Sequence, residues 1–381
     1  MTITCQKNRF SIDPDVRYLN CAYMSPLSLR VEEAGIAGIQ KKRTPSRIVP
    51  DDFFSGPRRV RELFARLVNV PDPQDIAVIP SASYGLGIVL SNTVLNAGQN
   101  IVTVRHQFPS NMYPWRRLCQ ETGGLLRVVD PQGVVSGAAW NEAILDAIDD
   151  DTALVAVGQV HWTDGTRFDL RQIGARAREV GAAFVIDGTQ SIGAMPFDVM
   201  DLEPDAVVCA AYKWLTGPYS IGAAYVGPRY RNGRPLEETW MAREGSEDFG
   251  GLVEYVDRYR AGAQRFDVGE ASNFVLVPML IAALEQLLEW EVRNIAKYCE
   301  SLTGSAIERI RTHGYHVEEG TLRSPHLFGI RTPRGLDADQ LKRRLYENQV
   351  SVSFRGEVIR VSPHVYNDED DMDALVHALA R

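Results

Sequence analysis

Three short segments of the chain place reactive or anion-binding groups directly after apolar runs. The carboxylate of Asp187 ends one run, and the amine of Lys213 follows another. The small residues Ser81, Ala82 and Ser83 follow a third run and precede a helix-like stretch. Backbone N–H groups at the start of a helix bind anions, and a desolvated lysine amine is a nucleophile. The three segments therefore offer an acid, a nucleophile and an anion site.

Each segment alone also has an ordinary structural explanation. Asp187 would cap a helix or form a turn, and Lys213 would be a solvated residue at the end of a strand. Lys213 lies between Tyr212 and Trp214, however, where desolvation would lower its pKa. The segment that begins at Ser81 has no glycine pattern of a nucleotide-binding loop. Only the combination is specific, because it supplies what pyridoxal phosphate needs: a Schiff-base amine, an acid at the pyridine nitrogen and a phosphate site.

Alternating strands and helices must position these groups. Residues 153–162 and 182–189 are strand-like runs, and the amphipathic stretch 169–181 between them begins at Asp169 and ends at Gly181, as a capped helix would. Strand, helix and strand in so short a segment predict a parallel βαβ crossover. Ligands of open parallel sheets bind beyond the C-terminal ends of the strands, which is where the polar groups lie. Two more strands are predicted at 205–212 and 221–227.

The pattern changes at about Asn273. One long helix is predicted from there to Gly314, with Pro278 in its first turn or at a kink. The strand-like pieces HLFGIRT, VSVSF and VIRVSP follow. We therefore expect a large α/β domain and a smaller α+β domain after it. The predicted limits are 1–20 for an N-terminal segment that packs with the small domain, 21–272 for the large domain and 273–381 for the small one.

The composition is that of an ordinary globular chain and argues against several classes of protein. The 381 residues include 41 basic and 49 acidic side chains, and the net charge of −8 does not suit a nucleic-acid or anionic-membrane surface. The longest uncharged apolar stretch, Phe274–Leu284, is too short to span a bilayer, and a cytosolic protein is the default expectation. The five cysteines are scattered, and His313 and His316 lack a third ligand, so neither a disulfide framework nor a metal site is expected.

The segments VIDGTQSIGAMPFDV and DAVVCAAYKWLTGPYSIGAAYV resemble the aminotransferase class V family of fold-type I pyridoxal phosphate enzymes, and the resemblance covers nearly the whole chain. It implies an α/β fold: a large domain with a mostly parallel, seven-stranded sheet and helices on both faces, then a small α+β domain. It implies pyridoxal 5′-phosphate as the cofactor, with Lys213 as the Schiff-base lysine and Asp187 at the pyridinium nitrogen. In the same pattern Gln190 lies near the cofactor's 3′-oxygen, and the Ala82 amide and Ser83 hold the phosphate.

Other segments resemble the kynureninase branch of this family. In QFPSNMYPW, Phe108 matches a phenylalanine that stacks on the cofactor ring, although Asn111 replaces an acid of that element. Tyr212 matches a tyrosine that reaches the phosphate, whereas Ala210 stands where cysteine desulfurases have a serine. RFDVGEASN resembles the element through which one subunit reaches its neighbour's cofactor. This implies that Asn273 acts in trans in a homodimer with a composite active site.

The segment FRGEVIRVSPHVYNDEDDMDAL resembles the family's C-terminal signature. In it, Arg360 matches the arginine that pairs with the substrate's α-carboxylate, which a planar guanidinium accepts at two points. Arg355 would bind a side-chain acid group of the substrate or lie at the surface. His161 would line the substrate side or be a hydrogen-bonded structural residue. The last cysteine, Cys299, lies far upstream of Arg360, so the chain resembles a branch without the desulfurase cysteine.

The resemblance implies an enzyme that acts on an α-amino acid through a Schiff base at Lys213 and a Cα carbanion. Transamination is the first expectation for the reaction. A lyase of the kynureninase or C–S lyase type, or an epimerase, is the alternative. A non-catalytic sensor that only binds the cofactor is disfavoured because Lys213, Asp187 and Arg360 are all present. The expected partner is a small-molecule amino acid, not a nucleic acid or a membrane.

Overall fold

The structure is a computed structural model that describes residues 3–131, 136–333 and 337–380. Its strands are β1 (Arg17–Tyr18), β2 (Ile76–Ile79), β3 (Asn100–Val104), β4 (Leu125–Val129), β5 (Thr152–Gly158), β6 (Ala183–Asp187), β7 (Ala206–Ala210), β8 (Gly222–Val226), β9 (Phe328–Arg331), β10 (Val350–Ser351), β11 (Ser353–Arg355) and β12 (Val358–Val361). Its α-helices are α1 (Leu29–Lys41), α2 (Ser55–Leu67), α3 (Ala82–Ser91), α4 (Tyr113–Thr122), α5 (Gly137–Ala147), α6 (Leu170–Glu179), α7 (Val199–Leu202), α8 (Leu276–Trp290), α9 (Val292–Thr312), α10 (Ala338–Glu347) and α11 (Glu369–Leu379).

A seven-stranded sheet in the order β2-β8-β7-β6-β5-β3-β4 forms the centre of the molecule. The pairs from β7 through β6, β5 and β3 to β4 are parallel, and β8 runs antiparallel to both of its neighbours. Every residue of β2, β3, β7 and β8 is buried. Strands that are apolar on both faces need helices on both faces. The predicted mostly parallel sheet is confirmed.

Two apolar cores cover the two faces of this sheet. One contains Phe64 of α2, Ile173 of α6 and Leu284 of α8, and the other contains Leu86 of α3 and Trp115 of α4. Each core buries side chains from alternate positions of the same strands, because successive side chains of a strand point to opposite faces. The predicted placement of helices on both faces is therefore also confirmed.

The predicted βαβ crossover is present as β5, α6 and β6. Asp169 caps α6 by accepting a hydrogen bond from the Gln172 backbone N–H at 3.2 Å, and Gly181 follows the helix with a φ of +75°. The two strands pair in parallel. Strand β7 ends earlier than the sequence predicts, at Ala210, so Lys213 lies in the turn that follows the strand and does not continue it.

The predicted single helix from 273 to 314 is two helices in the structure. They are separated at Glu291, whose φ of +60° is incompatible with a continuous right-handed helix. The Asn294 side chain supports this break by donating to Glu291 Oε2 at 3.0 Å and to the Trp290 carbonyl at 3.2 Å. Pro278 lies in the first turn of α8, where its missing N–H costs no helical hydrogen bond.

The C-terminal part of the chain forms a separate core. It contains Ile310 of α9, Phe328 of β9, Ile359 of β12 and Leu375 of α11. Strands β11, β12 and β9 form an antiparallel sheet, and β1 pairs in parallel with β10. Helix α8 instead packs on α1 and α2 beside the large sheet. The domain limits given above remain predictions. No helix among the described residues is long and apolar enough to cross a membrane.

Candidate active site

A cavity of about 240 Å³ lies at the C-terminal ends of β5, β6 and β7, beside the start of α3. The three segments that the sequence singled out all contribute to its wall. The predicted site residues that line it are Ala82, Ser83, Phe108, Asp187, Gln190, Tyr212 and Lys213.

The Lys213 amine is buried inside this cavity. Its Nζ lies 5.1 Å from the centre of the Phe108 ring and 5.4 Å from that of Tyr212. Burial lowers the pKa of Lys213 to about 8, with the positive charge of Arg360 adding to the effect and the negative charge of Asp187 opposing it. The side chain is therefore not the solvated lysine that the sequence left as an alternative, and near neutral pH a part of it is the neutral, nucleophilic amine.

Asp187 is the last residue of β6, in the middle of the large sheet. Its Oδ1 accepts a hydrogen bond from the Thr189 backbone N–H at 3.0 Å, so the side chain caps the short turn that follows the strand. The same carboxylate lines the cavity. Asp187 therefore both caps the turn and presents a carboxylate to the cavity.

The start of α3 forms the opposite end of the cavity. Ser81 caps this helix by accepting from the Tyr84 backbone N–H at 3.1 Å, and Ala82 and Ser83 occupy the first turn. N–H groups of a first helical turn have no partner inside the helix and point outward, where an anion can accept from them. Gly85 lets the helix approach the sheet, since a Cβ there would lie 2.6 Å from Val208 Cγ1.

Gln190 is fixed by contacts that the sequence did not predict. Its Oε1 accepts from Trp214 Nε1 at 2.8 Å, and its Nε2 donates to the Ala22 carbonyl at 3.2 Å. The Gln190 backbone carbonyl lies 2.7 Å from His326 Nε2. Because both the oxygen and the nitrogen of its amide are hydrogen-bonded, the Gln190 side chain has one orientation in the cavity. A fixed orientation suits a group that recognises one ligand atom.

The residues present fit pyridoxal phosphate. The cavity brings together a buried amine at Lys213, the ring of Phe108, a carboxylate at Asp187 and a helix start at Ala82. Amine, carboxylate and anion site are the groups that this cofactor's aldehyde, pyridine nitrogen and phosphate require. Lys213 is buried, and no carboxylate in the described part of the chain lies at ion-pair distance from it. A charged amine in this place would be costly, so burial favours the neutral amine. The neutral form is also the one that links to an aldehyde.

Arg360 and Arg355 both lie near the Trp162 indole, which is part of the cavity wall. Their guanidinium carbons are 5.9 Å and 5.3 Å from the centre of this ring. Arg360 is fully buried and donates from Nη1 to the Trp162 carbonyl at 3.0 Å. Burial, followed by the charge of Arg355, lowers the pKa of Arg360 to about 9. Arg360 is thus not a solvated strand residue.

His161 does not line the cavity. Val160 and Trp162 do, and the ring between them points the other way. Its nitrogens lie 3.0 Å from the Arg105 carbonyl and 2.6 Å from Thr163 Oγ1, and it stacks on Trp140 at a centroid distance of 5.5 Å. Of the two alternatives that the sequence left open for His161, the structure has the hydrogen-bonded structural residue.

Asn273 also lies away from this cavity. Its Oδ1 caps α8 by accepting from the backbone N–H groups of Val275 and Leu276 at 3.0 Å and 2.9 Å. It lines a second cavity of about 300 Å³ next to α1 and α2. Its action on a neighbouring subunit's cofactor remains a prediction.

Several wall residues were not singled out in the sequence. They include Trp162, which follows β5 in the same way that Lys213 follows β7, and Thr189, whose Oγ1 accepts from the Ala210 backbone N–H at 3.2 Å. Position beyond a strand end is the signal that would have found both. Further polar residues of the wall are Gln107, Ser110, Tyr219 and Ser220.

Comparison with known proteins identifies the family. The model of the family described as aminotransferase class-V matches residues 52–375. The uncharacterized aminotransferase YcbU of Bacillus subtilis (strain 168) is 26% identical over 323 residues, which cover 84% of this chain and 82% of the relative. A cysteine desulfurase of Enterobacter sp. (strain 638) is 25% identical over 351 residues, with 84% and 81% covered.

Solved structures show the same fold. A cysteine desulfurase from Thermococcus onnurineus NA1 has a TM-score of 0.83 and 19% identity, with 99% of this chain and 97% of that one covered. The cystine C–S lyase C-DES, in a complex with cysteine persulfide, also has a TM-score of 0.83, at 18% identity, with 96% and 97% covered. Together with the family match, these findings establish that the chain belongs to the aminotransferase class V family and is an enzyme whose cofactor is pyridoxal phosphate.

Proposed function

We propose that this enzyme is an aminotransferase that takes the amino group from an α-amino acid. The observation that carries the proposal is the buried Lys213 amine, which shares one cavity with Asp187 and lies near the buried guanidinium of Arg360. An amine with a pKa of about 8 can both accept and donate a proton near neutral pH.

The proposed roles follow the contacts of each side chain. Lys213 binds the cofactor, Asp187 keeps a proton on the pyridine nitrogen, and the first turn of α3, at Ala82 and Ser83, binds the phosphate. Tyr212 contributes at the phosphate, Phe108 lies against the ring, and Gln190 recognises the 3′-oxygen. Bound pyridoxal phosphate supplies an aldehyde that links to amines and a ring that accepts electron density from Cα.

Arg360 is proposed to bind the substrate's α-carboxylate. Its Nε and Nη2 are buried and have no hydrogen-bond partner among the described residues. A carboxylate that accepts from both would relieve an expensive desolvation and hold the substrate in one orientation. Neutral Lys213 then removes the Cα proton. Delivery of this proton away from Cα gives amino transfer, whereas its return to the opposite side of Cα gives epimerisation.

Cleavage of a carbon–sulfur bond is the second candidate, because several relatives are named cysteine desulfurases and a solved structure with this fold is named a cystine C–S lyase. Persulfide formation needs a cysteine thiolate at the substrate. No cysteine lines the cavity in the part of the chain that the structure describes. Cys21 is buried, and burial raises the pKa of its thiol to about 12, which keeps it protonated and unreactive. These observations support transamination over desulfuration, and a lyase that needs no cysteine remains the alternative.

We further propose that the enzyme is a homodimer. An exposed apolar surface, which we call the aromatic face, is formed by α1 and the aromatic cluster of Phe53, Trp240, Phe249 and Phe274. A patch of this kind on a chain without membrane-spanning helices among its described residues fits a protein partner. Asn273, next to the cluster, would then face a second copy.

The test is a half-reaction with the purified holoenzyme. Each member of a panel of L-amino acids is added without a keto acid, and products are measured by mass spectrometry together with the visible spectrum. Transamination predicts one keto acid and one pyridoxamine phosphate per active site, after which the reaction stops. Lys213→Ala should abolish both products, and Asp187→Asn should slow their formation about 100-fold or more.

Two outcomes would overturn the proposal. Continuous release of ammonia, sulfide or alanine without pyridoxamine phosphate would identify a lyase. Binding of the cofactor without reaction of any amino acid would identify a non-catalytic protein.

A further inference from the structure

The hairpin of β11 and β12 presents two arginines on one face. Ser353 lies opposite Arg360 in the antiparallel pair, and Arg355 lies opposite Val358. Arg355 and Ser353 are two residues apart in β11 and therefore point to the same side, as does Arg360. The two arginines are diagonal neighbours, a relation in which the Cα atoms are about 7–8 Å apart. Both guanidinium groups lie near the Trp162 indole, with their carbons 5.3 Å (Arg355) and 5.9 Å (Arg360) from the ring centre.

Neither arginine has a carboxylate partner among the described residues. The described residues contain no ion pair of Arg355 or Arg360, whereas Arg331 on the adjacent strand β9 pairs with Asp164 at 3.1 Å. Arg355 donates only from Nη1, to the Phe354 carbonyl at 2.8 Å, and its buried Nε has no hydrogen-bond partner within residues 3–131, 136–333 and 337–380. Burying guanidinium groups without anions is costly, so an anion from outside the chain would be stabilising at each of them.

We propose that the substrate is a dicarboxylic α-amino acid, whose α-carboxylate binds Arg360 and whose side-chain carboxylate binds Arg355. This inference rests on the proposed function, because it names the substrate class of the same site.

The charges around the cavity agree with a dianionic substrate. The charges of Arg360 and Arg355 both disfavour the protonated form of Lys213, and the charge of Arg355 disfavours the protonated form of Arg360. In the proposed function Lys213 is neutral and Asp187 is matched by the protonated pyridine nitrogen. Two substrate carboxylates would then balance the two remaining guanidinium charges.

Each of the two arginines has donors for an anion of its own. The buried Nε of Arg355 has no hydrogen-bond partner among the described residues, and neither do the buried Nε and Nη2 of Arg360. Two carboxylates, one at each guanidinium, would satisfy these donors.

The experiment measures binding of unreactive ligands to the holoenzyme by isothermal titration calorimetry. Succinate and glutarate carry two carboxylates and no amino group, and butyrate and valerate are the monocarboxylates of similar length. We expect Arg355→Gln to weaken succinate or glutarate binding about tenfold to hundredfold and to change valerate binding less than about twofold, since one charged hydrogen-bond pair is lost. Arg117→Gln, a change at an exposed arginine of α4, is the matched control.

Steady-state kinetics give a second readout. Arg355→Gln should lower kcat/KM for aspartate and glutamate, but not for asparagine, glutamine or alanine. Arg355→Lys, which keeps the charge, should restore part of the loss.

The inference is overturned if Arg355→Gln weakens the binding of monocarboxylates and dicarboxylates by the same factor, or if it changes the binding of neither. Tighter binding of 3-phosphonopropionate than of succinate would reassign Arg355 to a phosphate group. The calorimetric result does not depend on the reaction, so dicarboxylate binding without keto acid formation would overturn the proposed transamination and leave the substrate class in place.

Discussion

At the scale of single residues, the chemistry of the site depends on burial. Lys213, Arg360 and Cys21 are all buried, but the consequences differ with the charge of each group. Burial favours the neutral form, which makes a lysine a better nucleophile and a cysteine thiol a worse one. The pKa of Lys213 falls to about 8 and that of Cys21 rises to about 12. The same cause thus supports amine chemistry at Lys213 and opposes thiolate chemistry at Cys21.

The lowered pKa of Lys213 predicts a pH dependence. In the cofactor-free protein, the neutral amine should increase as the pH rises through about 8, compared with about 10.4 for an ordinary lysine. The rate of acylation at residue 213 by acetic anhydride, measured by peptide mass spectrometry, should follow this curve.

Two variants test the cause of the shift. Arg360→Gln removes a positive charge that lowers the pKa, so the midpoint should move up. Asp187→Asn removes a negative charge that raises the pKa, so the midpoint should move down. If the acylation rate of the unsubstituted protein had its pH midpoint near the pKa of an ordinary lysine, this result would contradict the structure.

At the scale of elements, the proposed phosphate site depends on the position of α3. The helix lies directly against β2 and β7, and its closest approach is at Gly85. Any side chain there would push the helix start away from the sheet edge, where the N–H groups of Ala82 and Ser83 face the cavity.

Gly85→Ala should therefore destabilise the protein. The added Cβ would lie 2.6 Å from Val208 Cγ1 and 3.0 Å from Ile79 Cδ1, and neither of these buried neighbours can move freely. We expect a loss of about 1–3 kcal/mol in the free energy of unfolding and weaker cofactor binding. Urea unfolding and cofactor titration measure the two effects.

Gly304→Ala is the control for this substitution. Gly304 lies inside α9, and a Cβ there would meet no atom within 4 Å. Replacing it should stabilise the protein by about 0.5–1 kcal/mol, because alanine loses less backbone entropy in a helix. If both substitutions changed the free energy of unfolding by the same amount, the close approach of α3 to the sheet at Gly85 would not be needed for stability.

At the scale of the whole molecule, the cavity lies where the large sheet meets the C-terminal sheet. Gln190 contacts Ala22 and His326, and Arg360 contacts Trp162. Each of these contacts joins segments more than 130 residues apart in the chain. The site is thus a product of the assembled fold.

The homodimer proposal predicts which substitutions separate the subunits. Ile39 on α1 is 63% exposed next to the aromatic face, and an aspartate there would be buried without a partner in the dimer. Ile39→Asp should convert a dimer to a monomer in analytical ultracentrifugation and lower activity, because Asn273 would no longer face a second copy.

Tyr346→Asp is the matched control. Tyr346 lies on another helix, α10, and is 84% exposed. This change should leave the sedimentation of the protein unchanged. A monomeric unsubstituted protein with full activity would refute the composite site.

The sequence by itself indicated the family and the cofactor, which the comparisons confirm, and it predicted the groups that line the cavity. Asp187, Lys213 and the start of α3 were predictable because each depends on local features: an apolar run, the residue that follows it and a helix-capping serine. The mostly parallel sheet was predictable for the same reason, since strand and helix periodicities are local. The division at Glu291 was not, because the apolar pattern continues through it.

The tertiary structure decided how the remaining side chains are oriented and paired. It turned His161 away from the cavity, fixed Gln190 between Trp214 and Ala22, and brought Arg355 and Arg360 together near Trp162. These outcomes depend on strand register and on contacts between distant segments, and a shift of one residue in register would reverse the face of every side chain in a strand. The sequence therefore identifies which residues carry reactive groups, whereas tertiary packing determines which residues these groups contact.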